Sequence, residues 1–317
     1  MRCAYVTFVM RNDSYIPGAL VLAYALKMQS NTDRICLVTN AVTEPSRELL
    51  KAMYDRVIPV PEVKIKSALN SGRQDRASLL TRFNALRLGP DGGLCAGYDK
   101  ILLLDADVLP LGGYDGLFDL PAPAGIIMED KSAYLETGED GGVLREADAE
   151  GRWLWHRRYE PVCAHGQPIP AYITDRPITD HGNMGVNSGL WLLNPSMAEY
   201  DALMEYLQRP EIYRIVTEFF PWPEMQLGTA FWSGRWTNID ARYCSIGGYP
   251  RLEVLYGTHF AGLKPWQVNN GSAGHYAKFS DFGMWYQFFE AMYWSCPEVR
   301  TSPRMRRIWE FVARRGR

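Results

Sequence analysis

The chain lacks any apolar run near the ~18 residues that a membrane-spanning helix requires, so no transmembrane segment is expected. Its opening, Met1-Arg2-Cys3-Ala4-Tyr5-Val6-Thr7-Phe8-Val9, is too short and too β-branched to read as a signal peptide. The six cysteines (Cys3, Cys36, Cys95, Cys163, Cys244 and Cys296) form no CxxC pair, which argues against a zinc site or a disulfide frame. They read as reduced thiols, and the expected location is the cytoplasm. Neither sign of charge dominates: the formal net charge is -2, which gives no reason to expect nucleic acid as a partner. Repeats and low-complexity linkers are also missing, so the 317 residues are read as one domain with a substantial core. Aromatics are somewhat abundant at 13%, with 10 Trp and 18 Tyr. Sugar rings stack on aromatic faces, which fits a carbohydrate site, and ordinary core packing explains any single aromatic equally well.

The first 120 or so residues alternate strand and helix signals. Ala4 to Val9, Ile35 to Thr39, Val57 to Val60 and Lys100 to Leu104 read as strands, separated by helical patterns at Pro17 to Gln29, Pro45 to Tyr54 and Ser78 to Leu88. Such alternation predicts an α/β fold with parallel strands covered by helices, with ligands beyond the carboxyl ends of the strands. Residues 129–179 are polar, Gly-rich and irregular, carry Trp153, Trp155, Tyr159 and Tyr172, and read as an insertion: an acceptor lid or a solvated excursion. Strand character returns from Gly185 to Asn194, followed by helices at Glu199 to Leu207 and from Pro223 to Trp232. The domain is read as 1–281. Residues 282–317 form an aromatic, Arg-rich helical tail, expected to pack on the domain with its arginines solvated; peripheral membrane contact is the less favoured reading.

Two segments carry chemistry. In Leu102-Leu103-Leu104-Asp105-Ala106-Asp107 an apolar strand runs straight into paired aspartates. Two carboxylates on one turn repel unless a cation lies between them, and Mn²⁺ or Mg²⁺ suits such oxygen ligands. A solvent-facing acidic turn is the alternative. Far along the chain, His259-Phe260-Ala261-Gly262-Leu263-Lys264 offers an imidazole ligand, a glycine that admits a phosphate closely, and a compact cation for its oxygens.

Together with the opening segment, these resemble glycosyltransferase family eight, which includes glycogenin, galactinol synthase and bacterial lipooligosaccharide galactosyltransferases. The resemblance covers roughly residues 4 to 270, with a gap over the insertion. It implies a GT-A fold: a single Rossmann-like nucleotide-binding domain with a mixed, mostly parallel sheet. By this resemblance Thr7, Asn12 and Tyr15 contact uridine, and Arg82 of Thr81-Arg82 lies near the diphosphate and sugar. Asp105-Ala106-Asp107 is the metal-binding triplet, completed by His259. Asn187-Ser188-Gly189 is the donor-sugar segment, and Gly262 and Lys264 meet the phosphates. The segment Glu224-Met225-Gln226 departs from the family pattern. Glu224 keeps the acid that binds sugar hydroxyls, Met225 stands where the family has a glutamine, and Gln226 replaces a carboxylate, its amide reaching the site if the register slips by one.

The implied activity is retaining, manganese-dependent transfer of glucose or galactose from a UDP-hexose to an unknown acceptor, with Mg²⁺ as the alternative ion. The assigned catalytic set is Glu224, Gln226, Lys264 and Arg82. Front-side attack needs no protein nucleophile, which suits a thioether at 225. Self-glucosylation at Tyr249 is less favoured than an ordinary loop tyrosine. A catalytically silent nucleotide-sugar-binding protein and a sugar nucleotidyltransferase stay open, although the latter normally carries a Gly-rich phosphate loop that Thr7 to Tyr15 lacks. A homodimer also stays open.

Overall fold

The computed structural model describes residues 1–66, 76–94, 96–127, 163–248 and 252–315. Its strands, in chain order, are β1 (Cys3–Val9), β2 (Asp33–Val38), β3 (Arg56–Pro59), β4 (Lys100–Leu104), β5 (Val108–Pro110), β6 (Ala124–Ile127), β7 (Val186–Leu193), β8 (Thr237–Asn238), β9 (Ser245–Ile246) and β10 (Gly257–His259). β1 is apolar apart from Thr7, with every residue after Cys3 buried, as a strand covered on both faces must be. It pairs in parallel with β2 and β4, and β2 with β3.

The main sheet runs β3-β2-β1-β4-β7-β6-β8. β7 is antiparallel to both of its neighbours, β4 and β6, while β6 and β8 are parallel to each other. The expected mixed, mostly parallel sheet is what the chain forms, with one strand reversed. A small second sheet, β5-β10-β9, extends from the end of β4.

One apolar cluster on the sheet contains Phe83, Trp191 and Trp236, each almost fully buried. A second joins the helix Ile16–Lys27 to Phe282, Trp285, Phe289 and Met305, and a third gathers Tyr5, Leu102, Leu104, Leu190 and Leu192. Most of the tail aromatics are therefore core, Trp294 being exposed, and each fully buried large apolar side chain contributes roughly 1.5–3 kcal/mol. The C-terminal helices are Ser280–Ser295, Pro297–Thr301 and Pro303–Arg315, so the helical segment begins two residues before 282. No helix among the described residues is long and apolar enough to cross a membrane. The five described cysteines are free thiols.

Three differences from the expected elements have physical causes. The helical pattern at Ser78 to Leu88 is a 3₁₀ helix, Arg76–Leu88. Its length is unusual for that geometry, and both its start and its middle are tied elsewhere: Arg76 Nε donates to the Phe220 carbonyl at 2.7 Å, and the Thr81 hydroxyl accepts from the Val63 N–H at 3.0 Å. The stretch read as an insertion is partly core, since Cys163, Ile169 and Ile173 are buried and Ile169 N–H donates to Trp236 O at 2.7 Å. Polar and Gly-rich surroundings concealed those anchors. Trp153, Trp155, Tyr159, Cys95, Tyr249 and Arg317 lie outside the described residues. Finally, the helix Pro210–Glu218 and the short strands β5, β6, β8, β9 and β10 carried no periodic signal strong enough to single them out.

Candidate metal and donor site

Topology gathers the site at one edge of the sheet. β4 ends at Leu104, and Asp105 follows immediately. Because β7 is reversed, its beginning meets that same edge: Leu104 pairs with Leu190, and the Asp105 N–H donates to Gly189 O at 3.0 Å. On the β6 side, Gly125 pairs with Trp191 but Ile126 pairs with Asn187, so residues 188–190 bulge out of register. Bulges re-aim side chains next to functional sites, and here Ser188 is turned so that its hydroxyl donates to Glu224 Oε1 at 3.2 Å.

The second sheet brings in the histidine. Val108, directly after the acidic turn, pairs antiparallel with His259, and Phe260 N–H donates to Asp107 O at 2.9 Å. Residues more than 150 positions apart are thereby fixed by backbone hydrogen bonds. Asp105, Asp107 and His259 each offer a ligand atom, all within 4.8 Å of one another. His259 Nε2 lies 3.3 Å from Asp107 Oδ1 and 3.9 Å from Asp105 Oδ2.

The remaining oxygen of each carboxylate is held by a cation. Lys264 Nζ donates to Asp107 Oδ2 at 2.5 Å and also to the Phe260 carbonyl. Arg82 forms an ion pair with Asp105 Oδ1, and its other terminal nitrogen lies 3.9 Å from Glu224 Oε1. This division leaves Asp105 Oδ2, Asp107 Oδ1 and His259 Nε2 facing one point, with Arg82 and Lys264 orienting the ligands from behind. The donor set therefore fits a divalent metal ion.

The electrostatics agree. Burial alone would lower the His259 pKa, but the Asp107 carboxylate overrides it and holds the imidazole up at about 10. Burial would raise Asp107, yet Lys264 and His259 hold it well below the usual carboxylate range. In the cation-free protein an imidazolium thus takes the place of the positive charge. Burial raises the Glu224 pKa, partly opposed by Arg82. Burial would lower Arg82, but Asp105 and Glu224 keep it raised.

Two glycines make the approach close enough. A Cβ on Gly18 would lie 2.3 Å from Ala106 O and 2.3 Å from Trp266 Cη2, so the helix Ile16–Lys27 reaches the acidic turn only without a side chain there. A Cβ on Gly189 would lie 2.9 Å from His259 Cε1. The histidine's own Nδ1 meets no acceptor in hydrogen-bond geometry among the described residues, with Cys244 beside it. Packing against Gly189 is what orients the ring.

The other expected residues fall as follows. The Thr7 hydroxyl is buried and donates to Leu104 O at 2.8 Å, on the last rung between β1 and β4. Asn12 is exposed and accepts from the Ser14 N–H at 2.8 Å, capping the turn Asp13–Tyr15. Tyr15, 37% exposed, meets Trp266 edge to face with centroids 5.6 Å apart, and Lys264 Nζ stands 5.8 Å from the Tyr15 ring centre. Asn187 is buried and its Oδ1 accepts from the Gly189 N–H at 2.7 Å. Gly262 is exposed, with open space where a Cβ would stand.

Gln226 is a correction. Its Nε2 donates to His181 O at 2.7 Å and Asn183 O at 2.9 Å, and its Oε1 accepts from the Trp222 N–H at 3.0 Å. Both amide hydrogens are engaged, so Gln226 fastens the loop before β7 to the helix Pro223–Phe231 and has no donor left for a sugar. Arg304 was missed: its guanidinium donates to the Asp13 carbonyl, 291 positions away, and nothing local marks it among the tail arginines.

No protein-family profile matches the chain. An uncharacterized protein of Acanthamoeba polyphaga mimivirus is 27% identical over 84% of this chain and 83% of its own length. Galactinol synthase 7 of Arabidopsis thaliana is 25% identical over 83% of this chain and 74% of its own length. Glycogenin of Neurospora crassa is 31% identical over 36% of this chain, a region that makes up 16% of the glycogenin. Among solved structures, an active-site mutant of LgtC has a TM-score of 0.56 at 15% identity, covering 90% of this chain and 95% of that one. The galactosyltransferase LgtC, in complex with donor and acceptor sugar analogs, has a TM-score of 0.52 at 15% identity, covering 88% and 95%. The fold is that of the GT-A glycosyltransferases. In sequence the chain is similar to proteins named glycogenin and galactinol synthase.

Proposed function

We propose that the protein is a divalent-metal-dependent hexosyltransferase that uses a nucleoside diphosphate sugar, a UDP-hexose by its resemblance to family eight, and retains the anomeric configuration. The observation that carries this reading is the division of carboxylate oxygens: Arg82 and Lys264 take one oxygen of each aspartate, and the other two face His259 Nε2. Asp105, Asp107 and His259 would hold the ion, which supplies charge neutralisation for a diphosphate leaving group.

The chain's own residues do the rest. In this reading Lys264 and Arg82, besides holding the two aspartates, offset the charge of the departing diphosphate. The Tyr15 ring centre stands 5.8 Å from Lys264 Nζ, and the exposed Gly262 lies two residues before that lysine. Glu224, buried and held by Ser188 through Oε1, keeps Oε2 without a hydrogen-bond partner among the described residues. A buried acceptor in that condition calls for a donor, and a sugar hydroxyl supplies one. Met225 carries no nucleophilic oxygen, and Gln226 is engaged elsewhere, which favours front-side attack with a diphosphate oxygen taking the acceptor proton.

The test measures hydrolysis of UDP-glucose and UDP-galactose with Mn²⁺ in the wild type and in Asp105→Asn and Asp107→Asn. Turnover is expected to fall by about two orders of magnitude in either variant. Undiminished turnover removes the metal role. UDP binding that requires Mn²⁺, with no turnover on any donor, supports the silent sugar-binding reading instead.

A further inference from the structure

A cavity of about 270 Å³ lies behind the Tyr15–Trp266 wall, between the turn Asp13–Tyr15, the segment after Lys264 and the C-terminal helix Pro303–Arg315. Trp266, Val268 and Ile308 form its apolar lining, and Arg304, Arg307 and Asn269 supply polar groups. None of the three metal candidates lines it, nor do Lys264 and Tyr15. Its size suits a small molecule and not a polymer segment.

The two arginines set the charge of the occupant. They stand i, i+3 on one helix and so share a face. Arg304 donates to the Asp13 carbonyl and makes no hydrogen bond to the nearby Asp13 carboxylate, which accepts from Thr43 N–H at 2.9 Å and Thr43 Oγ1 at 2.7 Å. Arg307 makes neither hydrogen bond nor ion pair among the described residues. One carboxylate satisfies one guanidinium; two guanidiniums on a common face suit a dianion with several acceptor oxygens. The indole and the two aliphatic side chains suit the body of a ring, such as the C–H face of a sugar.

We infer that this cavity is a second ligand site, distinct from the donor site, that takes a small phosphomonoester with a ring body, of the sugar-phosphate class. Its occupant touches the C-terminal helix and the turn that carries Tyr15, so it bears on the nucleotide side of the protein without entering it.

The experiment is calorimetric titration with glucose 6-phosphate, inorganic phosphate and glucose, on wild type and Arg307→Gln, with and without UDP and Mn²⁺. Glucose 6-phosphate is expected to bind the wild type, with UDP and Mn²⁺ present or absent, and to weaken about tenfold or more in Arg307→Gln. Glucose alone is expected not to bind, and phosphate alone to bind more weakly than the sugar phosphate. UDP affinity is expected to be equal in the two proteins, which also shows that the variant is folded. Absence of glucose 6-phosphate binding, equal binding by Arg307→Gln, or displacement by UDP each overturns the inference. Displacement would leave the proposed transferase activity standing, since the cavity would then belong to the donor site. Binding to phosphatidate vesicles that Arg307→Gln abolishes, with no binding of glucose 6-phosphate, assigns the cavity to a lipid headgroup and overturns the small-molecule assignment.

Discussion

Replacing Gly189 with alanine separates metal binding from stability. The added Cβ would lie 2.9 Å from His259 Cε1 and 3.0 Å from Nδ1, where ordinary contact begins at 3.4 Å. The imidazole must therefore yield by about 0.5 Å, against the ~0.2 Å that metal–ligand distances tolerate. No hydrogen bond at Nδ1 restores its aim among the described residues. Disturbing the shell behind a ligand costs about 10–100-fold in metal affinity, and Gly189→Ala is expected in that range. Its backbone is not in the left-handed region, so alanine carries no backbone strain of that kind. The smaller unfolded-state entropy offsets part of the crowding, and stability is expected to change by less than about 1 kcal/mol. Calorimetric titration with Mn²⁺ and urea unfolding of the ion-free protein check the two halves. A manganese affinity within about twofold of wild type, with stability preserved, would refute the assignment of His259 as a packed ligand.

Other outcomes follow from the same geometry. With the His259 pKa raised to about 10, the ion must displace a proton, so Mn²⁺ affinity rises with pH through the range 7 to 9, and titration in two buffers of different ionisation enthalpy shows about one proton released per ion. In the ion-free protein the same imidazolium's stabilisation is full below its unfolded value, ~6.5, and fades as pH rises through about 10, readable as a falling urea midpoint. Glu224→Gln leaves UDP and Mn²⁺ binding near wild type and lowers donor turnover by about a hundredfold; equal loss of UDP affinity would instead place Glu224 at the nucleotide. Arg76→Met removes guanidinium bonds to the buried carbonyls of Val216, Thr217 and Phe220 and costs about 2–4 kcal/mol in urea unfolding, with Mn²⁺ affinity of the folded fraction unchanged.

Much of the fold was legible because its parallel half writes a strong signal. β1, β2 and β4 each carry a largely apolar run next to helices with clear spacing, and their ends fall within two or three residues of the expected places. The antiparallel half is harder to read. β5, β8, β9 and β10 are two or three residues long, too short for any period to show, and their pairing depends on partners more than a hundred positions away or on turns. The carboxylate pair was visible because aspartates after an aliphatic strand have no packing reason to be there. That His259 shares their site follows from the rung Val108–His259, which no local pattern announces; the resemblance to known transferases supplied it. Gln226 shows the opposite failure: its identity suggested a sugar contact, whereas its hydrogen bonds make it a clasp between a loop and a helix.

The reversed strand has a consequence for how this scaffold can vary. β6 finishes at Ile127 and β7 starts at Val186, and these two residues face each other across one rung beside the site. The chain that joins them departs from and returns to the same rim, and its last part is fastened to β8, where Gly166 N–H donates to Asn238 O, Asn238 N–H to Gln167 O and Ile169 N–H to Trp236 O. A change of length or character is therefore best tolerated ahead of Cys163, before the core anchors Ile169 and Ile173 and the loop that Gln226 fastens.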